Sequence, residues 1–276
     1  MEVEIIKAIQ RVSNPFFNHF FEVITMFGEE LIYIVIFAIA YWCWDKREAT
    51  KLILVFLLSA IVNGGLKSII MRERPIGYDG VITLREHTAT GSSFPSGHTQ
   101  GATTFFYYVA NKFKKTWVTV SSWIMIFLVA LSRLYLGLHW ISDVIAAVIV
   151  AIAMVHFGLM LFAKVTTKKL ISVLVIVNIL LTVFWNEIYV LNTAIITGAV
   201  VGILIERKYI NFDTRSKVVT QIIKTILGLS VALVIKEGTK LVVPDTLMFD
   251  YIRYILMGLW VSAGAPLVFK KLRLSD

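Results

Sequence analysis

The stretch Trp117–Ala163, WVTVSSWIMIFLVALSRLYLGLHWISDVIAAVIVAIAMVHFGLMLFA, decides the fold of this 276-residue chain. It contains two long apolar runs, Trp117–Leu136 and Ile141–Ala163, on either side of a turn that Gly137 permits. A helix needs roughly 20 mostly apolar residues to cross a bilayer, and both runs have about that length. We therefore expect two transmembrane helices that meet at a short turn.

The chain as a whole has the same character. Its residues are 58% hydrophobic and 16% charged, with a mean hydropathy of +0.78, whereas soluble domains are nearer half apolar and a quarter charged. The N-terminal stretch Val3–Phe27 mixes charged and amide side chains with Phe, which favours an interfacial helix over a further span. Seven more apolar runs are candidate spans: Leu31–Trp44, Leu52–Met71, Gly97–Ala110, Leu170–Trp185, Ile188–Ile205, Val218–Ile235 and Ile252–Phe269. The sequence thus predicts an all-α integral membrane protein, a helical bundle of about nine transmembrane spans with an N-terminal interfacial helix.

The net charge of +9 is spread over short clusters between the apolar runs. This distribution does not fit the continuous basic face of a nucleic-acid-binding protein, so we expect no nucleic-acid partner. In the nine-span arrangement, one set of alternate loops holds about twice as many Lys and Arg residues as the other, which makes that set cytoplasmic. We expect a multi-pass protein of the cell membrane, with its N-terminus outside and its C-terminus in the cytoplasm.

Three polar segments lie at span ends on one predicted side, and the first is Lys67-Ser-Ile-Ile-Met-Arg-Glu-Arg74-Pro75. Lys67 and Arg74 are seven residues apart, which is two helical turns, so we expect them to share one face of the helix. Pro75 cannot continue a helix and disfavours helical geometry just before it, which places Arg74 at the mouth of the span.

The second segment is Phe94-Pro95-Ser96-Gly97-His98, directly before an apolar run. Ser96 is a suitable N-cap, and Gly97 lets the backbone come close to a ligand. Free N–H groups and a positive dipole at a helix N-terminus favour phosphate oxygens, and His98 would stand in the first turn.

The third segment, Ser132-Arg133-Leu-Tyr-Leu-Gly-Leu-His139-Trp-Ile-Ser-Asp143, joins the two spans of the opening stretch. On a helix Asp143, four residues after His139, could accept a hydrogen bond from one ring nitrogen. That bond would fix the tautomer and leave the other nitrogen free to attack.

Each segment alone has an ordinary explanation. A single Lys67 fits a snorkelling anchor, and Pro-Ser-Gly-His fits a turn followed by a cap. Together, however, the segments bring three cations and two histidines to one membrane surface, where ionisable residues are costly and usually functional. We therefore predict a reaction centre.

The three segments resemble the signature motifs of the type-2 phosphatidic acid phosphatase superfamily: Lys-x6-Arg-Pro, Pro-Ser-Gly-His and Ser-Arg-x5-His-x3-Asp. Every position matches in order between Lys67 and Asp143. The resemblance implies that His139 is the nucleophile, that Asp143 orients it, and that His98 protonates the leaving alkoxide. It also implies a set of groups that hold the phosphoryl oxygens: Lys67, Arg74, Ser96, Gly97 and Arg133.

These residues predict a phosphatase in which fixed cations neutralise the phosphoryl oxygens. No clustered Asp and Glu set suits a two-metal site, so we expect no cofactor and metal independence. The leading interpretation is hydrolysis of a lipid phosphate at the extracytoplasmic surface: phosphatidic acid, phosphatidylglycerol phosphate, a polyprenyl diphosphate or a sphingoid phosphate. A soluble ester such as a sugar phosphate is the alternative substrate, and a transporter is the alternative class.

The chain has no internal repeat and no hydrophilic linker that would separate soluble domains. We interpret 1–276 as a single membrane domain. Within it, 1–30 is an interfacial N-terminal segment, 31–163 a catalytic helical core, and 164–276 a set of additional transmembrane helices.

Overall fold

A computed structural model describes residues 1–164, 187–241, 243–244 and 246–275 of the chain. Over these residues the fold is helical, and no strand occurs. The α-helices are α1 (Glu2–Gln10), α2 (Pro15–Met26), α3 (Glu30–Cys43), α4 (Lys46–Ile70), α5 (Gly97–Phe113), α6 (Thr116–Tyr135), α7 (Ile141–Lys164), α8 (Glu187–Ile205), α9 (Val218–Leu233), α10 (Leu247–Leu259) and α11 (Ala265–Lys271). Single π-helical turns extend three of them, at Glu206–Ile210, Val234–Gly238 and Trp260–Gly264.

Five helices in the described ranges are long and apolar enough to cross a membrane: Lys46–Ile70, Thr116–Tyr135, Ile141–Lys164, Val218–Leu241 and Leu247–Lys271. These confirm an all-α membrane protein and five of the predicted spans. A sixth arises only if α2 and α3, which bend by 47° at their junction, form one broken span.

The predicted count of about nine spans is therefore not supported. Helix α5 has 17 residues, between its N-cap Ser96 and Lys114, whose left-handed backbone ends it; this is fewer than the roughly 20 that a span needs. Helix α8 forms but is not among the candidates. The predicted span Leu170–Trp185 lies outside the described residues. At the N-terminus, the expected single interfacial helix is two helices, because Asn14 caps α2 and Pro15 occupies its first position.

The chain divides into two compact units, and the first comprises Met1–Tyr33 with Leu54–Leu161. Its core includes the buried end of α6, where the ring centroids of Tyr135 and Phe21 of α2 lie 4.2 Å apart. Gln10, the last residue of α1, fixes the loop before α5 to this core. Its amide donates to the carbonyls of Ile82 and Tyr135, both at 2.7 Å, and accepts from the Ile82 N–H at 2.9 Å.

The second unit comprises Ile34–Ile53 with Phe162–Asp276. Two buried ionisable groups of this unit have specific partners. Glu206 accepts hydrogen bonds from Lys46 Nζ at 2.9 Å and from the Tyr41 hydroxyl at 3.2 Å. Lys224 donates to the carbonyls of Trp42 and Thr214 at 3.1 and 3.2 Å. Both therefore fix the fold of this unit.

Candidate active site

The three motif segments meet within the first unit, at one end of α4, α5, α6 and α7. Helix α4 ends at Ile70, and Met71 has a left-handed backbone (φ 43°). Arg74 therefore stands in a loop, and the expectation that it shares a helix face with Lys67 is wrong. The two cations converge through the loop instead: both donate to the carbonyl of Ser92, Lys67 through Nζ and Arg74 through Nη2.

His139 also stands outside a helix, because α7 begins only at Ile141. Asp143 therefore does not pair with His139 along a helix, as was expected, but caps the start of α7. The Oδ2 atom of Asp143 accepts the Trp140 N–H at 2.9 Å and the Ser93 hydroxyl, and it lies 3.4 Å from His139 Nδ1. Ser93 Oγ is also 3.4 Å from that nitrogen. The carboxylate and the serine thus flank one side of the imidazole.

The other ring nitrogen of His139 faces a guanidinium. Arg74 Nη1 is 3.1 Å from His139 Nε2 and 2.9 Å from the carbonyl of Leu138. An arginine has no lone pair, so Nε2 is the acceptor and the ring proton resides on Nδ1. Carbonyls of Thr90 and Gly91 accept the remaining Arg74 donors at 2.8 and 3.1 Å. The geometry leaves a lone pair on Nε2, directed at a cation.

Arg133 has two nitrogens, and His98 one, that form no hydrogen bond in the described part of the chain. Arg133 is fully buried, and its Nη1 donates to Thr25 Oγ1 at 2.8 Å, but its Nε and Nη2 have no protein partner there. His98 Nε2 is likewise buried without a hydrogen bond. Leaving such a group unsatisfied costs about 1–3 kcal/mol, more if it is charged, so a bound oxyanion would find unused donors here.

The charge of the site acts on the imidazole. Burial, followed by the positive charges of Arg133, Arg74 and Lys67, holds the pKa of His139 well below its ordinary value. Burial also lowers the pKa of Arg74 to about 10, against the opposing effect of Asp143. At neutral pH the site therefore combines a neutral His139 with a charged Arg74.

Helix α5 begins at Gly97, and its N-cap is Ser96, whose hydroxyl accepts the Thr99 N–H at 3.4 Å. The Ser96 N–H donates to the main-chain carbonyl of Asp143 at 3.2 Å, so the second and third segments are hydrogen-bonded directly. A Cβ placed on Gly97 would meet Asn63 Oδ1 at 3.7 Å as its nearest described neighbour. The space beside this backbone is therefore open to a ligand.

Some residues of the site were not predicted. Ser93 touches His139 and Asp143, and Arg72 donates from Nη1 to Asp143 Oδ1 at 2.8 Å. Arg72 is also 2.5 Å from Glu2 Oε2, through Nη2. Arg72 lies inside the first segment and could have been considered, whereas nothing in the sequence pairs it with Glu2. In the described ranges, no three His, Cys, Asp or Glu residues cluster as a metal site; metal independence stays a prediction.

Comparisons with known proteins confirm the resemblance. The PAP2 superfamily model matches residues 48–168, and the model described as PAP2 superfamily phosphatase, transmembrane extension, matches residues 190–276. Phosphatidylglycerophosphatase B of Bacillus subtilis is 30% identical over 153 residues, which cover 50% of this chain and 72% of the relative. A probable sphingosine-1-phosphate phosphatase of Dictyostelium discoideum is 31% identical over 169 residues, 55% of this chain and 40% of that protein.

The chain spans between 33% and 42% of the length of the sphingosine-1-phosphate phosphatases that it matches. The crystal structure of Aquifex aeolicus LpxE is similar in fold over 58% of this chain and 94% of that one, with a TM-score of 0.52 and 22% identity. The converging segments, from Lys67 to Asp143, all lie inside the matched region 48–168, and this chain belongs to the PAP2 superfamily.

Proposed function

We propose that this protein is a membrane phosphatase that cleaves the phosphoester bond of a lipid phosphate through a covalent phosphohistidine at His139. The observation that carries the proposal is the state of this imidazole: Nε2 holds a lone pair and contacts the half-buried Arg74, with the buried Lys67 and Arg133 nearby. Phosphoryl transfer needs a positioned nucleophile and fixed charge for the equatorial oxygens, and the pocket offers both.

The proposed reaction has two steps. In the first, the Nε2 lone pair of His139 forms a bond to phosphorus, and the ester P–O bond breaks with its electron pair on the departing oxygen. His98, whose Nε2 has an unused hydrogen-bonding position, supplies the proton to that oxygen. In the second step water attacks phosphorus while His98 takes up one proton of that water, and the N–P bond breaks with its electron pair on Nε2. Inorganic phosphate leaves, and both histidines return to their starting states.

Asp143 and Ser93 stay beside Nδ1 of His139 in both steps. While phosphorus is bound to Nε2, the imidazole keeps its Nδ1 proton and gains positive charge, which the nearby carboxylate balances. Lys67, Arg74 and Arg133 hold the phosphoryl oxygens in this proposal. Arg74, which lies against Nε2 in the present structure, must turn from the nitrogen to those oxygens when substrate binds.

A lipid substrate fits the surface beside the site. At the end of α4, Ile69, Ile70 and Met71 are 77%, 44% and 74% exposed, just before the loop that carries Arg74. Apolar tails could lie along this surface while the phosphate enters the pocket. The named relatives act on sphingosine 1-phosphate and phosphatidylglycerol phosphate, and both of these are lipids. The positive-inside distribution of Lys and Arg favours an extracytoplasmic position for the site, in the cell membrane.

Phosphate release from detergent-solubilised protein tests the proposal. The wild type and His139→Ala are compared on phosphatidic acid, phosphatidylglycerol phosphate, a polyprenyl diphosphate, sphingosine 1-phosphate and glucose 6-phosphate, with and without EDTA. We expect lipid hydrolysis by the wild type, none by His139→Ala, and no effect of EDTA. Equal activity of the two proteins would overturn the nucleophile assignment, and preference for glucose 6-phosphate would replace the lipid by a soluble ester.

A further inference from the structure

Arg72 connects the candidate orienting carboxylate to the first helix of the chain. Its Nη1 donates to Asp143 Oδ1 at 2.8 Å and to the Ser142 hydroxyl, and its Nη2 donates to Glu2 Oε2 of α1. The guanidinium also lies over the Trp140 ring, 5.5 Å from its centroid. Through its two terminal nitrogens, Arg72 therefore links the N-terminal helix to the candidate active site.

Glu2 completes a closed set of hydrogen bonds around this arginine. Its Oε1 accepts the Ser142 N–H at 3.0 Å and the Ser142 hydroxyl at 2.7 Å, while Oε2 takes the Arg72 Nη2. Partial burial acts to raise the pKa of Glu2, but the hydrogen bonds from Ser142 and Arg72 outweigh it and lower that pKa below its ordinary value. The carboxylate is thus ionised at neutral pH and holds Arg72 in place.

The orientation of the Asp143 carboxylate follows from this arrangement. Oδ2 accepts from Ser93 and from the Trp140 N–H, and this oxygen faces His139. Oδ1 is held by Arg72. With donors on both oxygens, the carboxylate plane cannot rotate, so Oδ2 stays directed at His139 Nδ1. Because Glu2 balances the charge of Arg72, the arginine fixes direction without adding a net positive charge beside the imidazole.

We propose that Arg72 and Glu2 are positioning residues that hold Asp143, and through it His139, in the geometry for attack. Arg72 occupies one of the six unspecified positions of Lys-x6-Arg-Pro, and Glu2 lies 65 residues before Lys67, so the three motifs assign neither residue. The inference rests on the proposed phosphatase activity.

Arg72→Gln, Arg72→Lys, Glu2→Gln and the double variant Arg72→Gln/Glu2→Gln test this inference. Glu4→Gln is the matched control, because Glu4 lies on the same helix with 73% of its side chain exposed. We expect Arg72→Gln to lower kcat about 10- to 100-fold with KM within about twofold, as for other groups that orient a catalytic residue. Glu2→Gln should lower kcat about 3- to 10-fold, and the double variant should be no worse than Arg72→Gln, because both changes disrupt one unit.

The pH profile separates positioning from a purely structural effect. Lys67, Arg74, Arg133 and Asp143 face His139. Arg72→Gln leaves the Glu2 carboxylate without its cation, so the charge near Asp143 becomes more negative. His139 then takes up a proton more readily, and the acid limb of kcat should move to higher pH. Arg72→Lys keeps the charge but cannot reach both carboxylates, so it should keep the wild-type limb with an intermediate kcat.

The outcomes are distinct. The inference is overturned if Arg72→Gln keeps kcat within twofold of wild type, or if the Arg72 and Glu2 effects multiply. If Arg72→Gln does not fold, Arg72→Lys and Glu2→Gln decide: both must lower kcat at constant KM, and Glu4→Gln must not. His139→Ala in the same assay tests the proposed function separately. If His139→Ala is active, the phosphatase mechanism is refuted. If His139→Ala is inactive but Arg72→Gln is fully active, only the positioning role is refuted.

Discussion

Replacement of Arg133 by Met separates the catalytic value of this residue from its structural value. Arg133 is fully buried, one of its nitrogens bonds Thr25, and two more have no partner among the residues that the structure describes. A buried guanidinium with unused donors and no hydrogen-bonded anion is costly, and a hydrophobic side chain of similar length removes that cost. Met also loses the Thr25 bond, worth about 1 kcal/mol. The ligand-free Arg133→Met protein should therefore melt at or above the wild-type Tm.

The effect on catalysis should be large and opposite in sign. If Nε and Nη2 each donate a charge-assisted hydrogen bond of about 1.5–3 kcal/mol to the phosphoryl oxygens, Arg133→Met loses about 3–6 kcal/mol of transition-state binding. At about 1.4 kcal/mol per factor of ten, kcat/KM should fall roughly 100-fold to 10,000-fold.

The assay combines phosphate release with thermal unfolding in detergent, with and without vanadate as a phosphate analogue. A ligand at 100 times Kd stabilises the folded state by about 2.7 kcal/mol, and by only about 0.4 kcal/mol if Kd rises 100-fold. Vanadate should therefore raise the Tm of the wild type but hardly that of Arg133→Met. Arg207→Met, at an exposed arginine of the second unit, should behave as wild type. A vanadate shift of wild-type size in Arg133→Met, or kcat/KM within threefold of wild type, would show that the phosphoryl group does not bind Arg133.

Three further predictions follow from the site. Gly97→Ala should fold normally, since its Cβ would meet Asn63 at 3.7 Å, yet it should lower kcat/KM at least about tenfold by displacing a phosphoryl oxygen; unchanged kinetics would show that no ligand approaches this backbone. Burial and the site cations lower the pKa of His139, so below pH about 6.5 the unfolded state takes up more protons than the folded state. The stability of the fold should therefore fall with falling pH. Melting curves from pH 7.5 to 5 should show a smaller loss of Tm for His139→Gln than for the wild type. In a Cys43→Ser background, which removes the single cysteine, His87→Cys should react with an impermeant maleimide on intact cells, and Lys114→Cys only after permeabilisation; the reverse pattern would place the site in the cytoplasm.

The sequence predicted that the three motif segments converge, as the structure has them, while the roles of their residues stay predictions. Lys67 and Arg74, like His139 and Asp143, lie within a few residues of each other at span ends, and only a few arrangements keep them apart. Their backbone was predicted only in part. The expected span bounds at Met71 and Ile141 lie close to the observed helix ends. The expected pairing along a helix face did not occur, because Arg74 and His139 both stand outside the helices. Pro75 disfavours helix just before it, and Gly137, at φ +68°, has the Ile82 carbonyl too close for any Cβ.

The sequence pattern could not predict contacts between residues that are far apart in the chain. Glu2 and Arg72 are 70 residues apart, and neither periodicity nor composition singles out one Glu of α1 over another. The predicted count of about nine spans is not supported, because the prediction also ignored contacts between separate parts of the chain. Hydropathy treats each run alone, whereas Thr and Gln side chains of α5 are buried among hydrogen-bonding neighbours: Gln100 donates to the Ser59 carbonyl at 2.8 Å and accepts from Asn63 at 2.8 Å.

The N-terminal helices set a limit on how this protein can be divided. The matched family region begins at residue 48, but Glu2, Gln10 and Thr25, all upstream of it, touch Arg72, the loop at Ile82 and Arg133. A fragment that starts at residue 48 would carry every signature residue, yet it would lack the Thr25 contact of Arg133 and the Glu2 and Gln10 contacts of neighbouring residues. The same holds for chimeras: grafting α1 and α2 from a relative would change the surroundings of the reacting groups without altering any motif. The contacts of the candidate site therefore extend beyond the three motifs, and exchange experiments should move the first 33 residues together with the site.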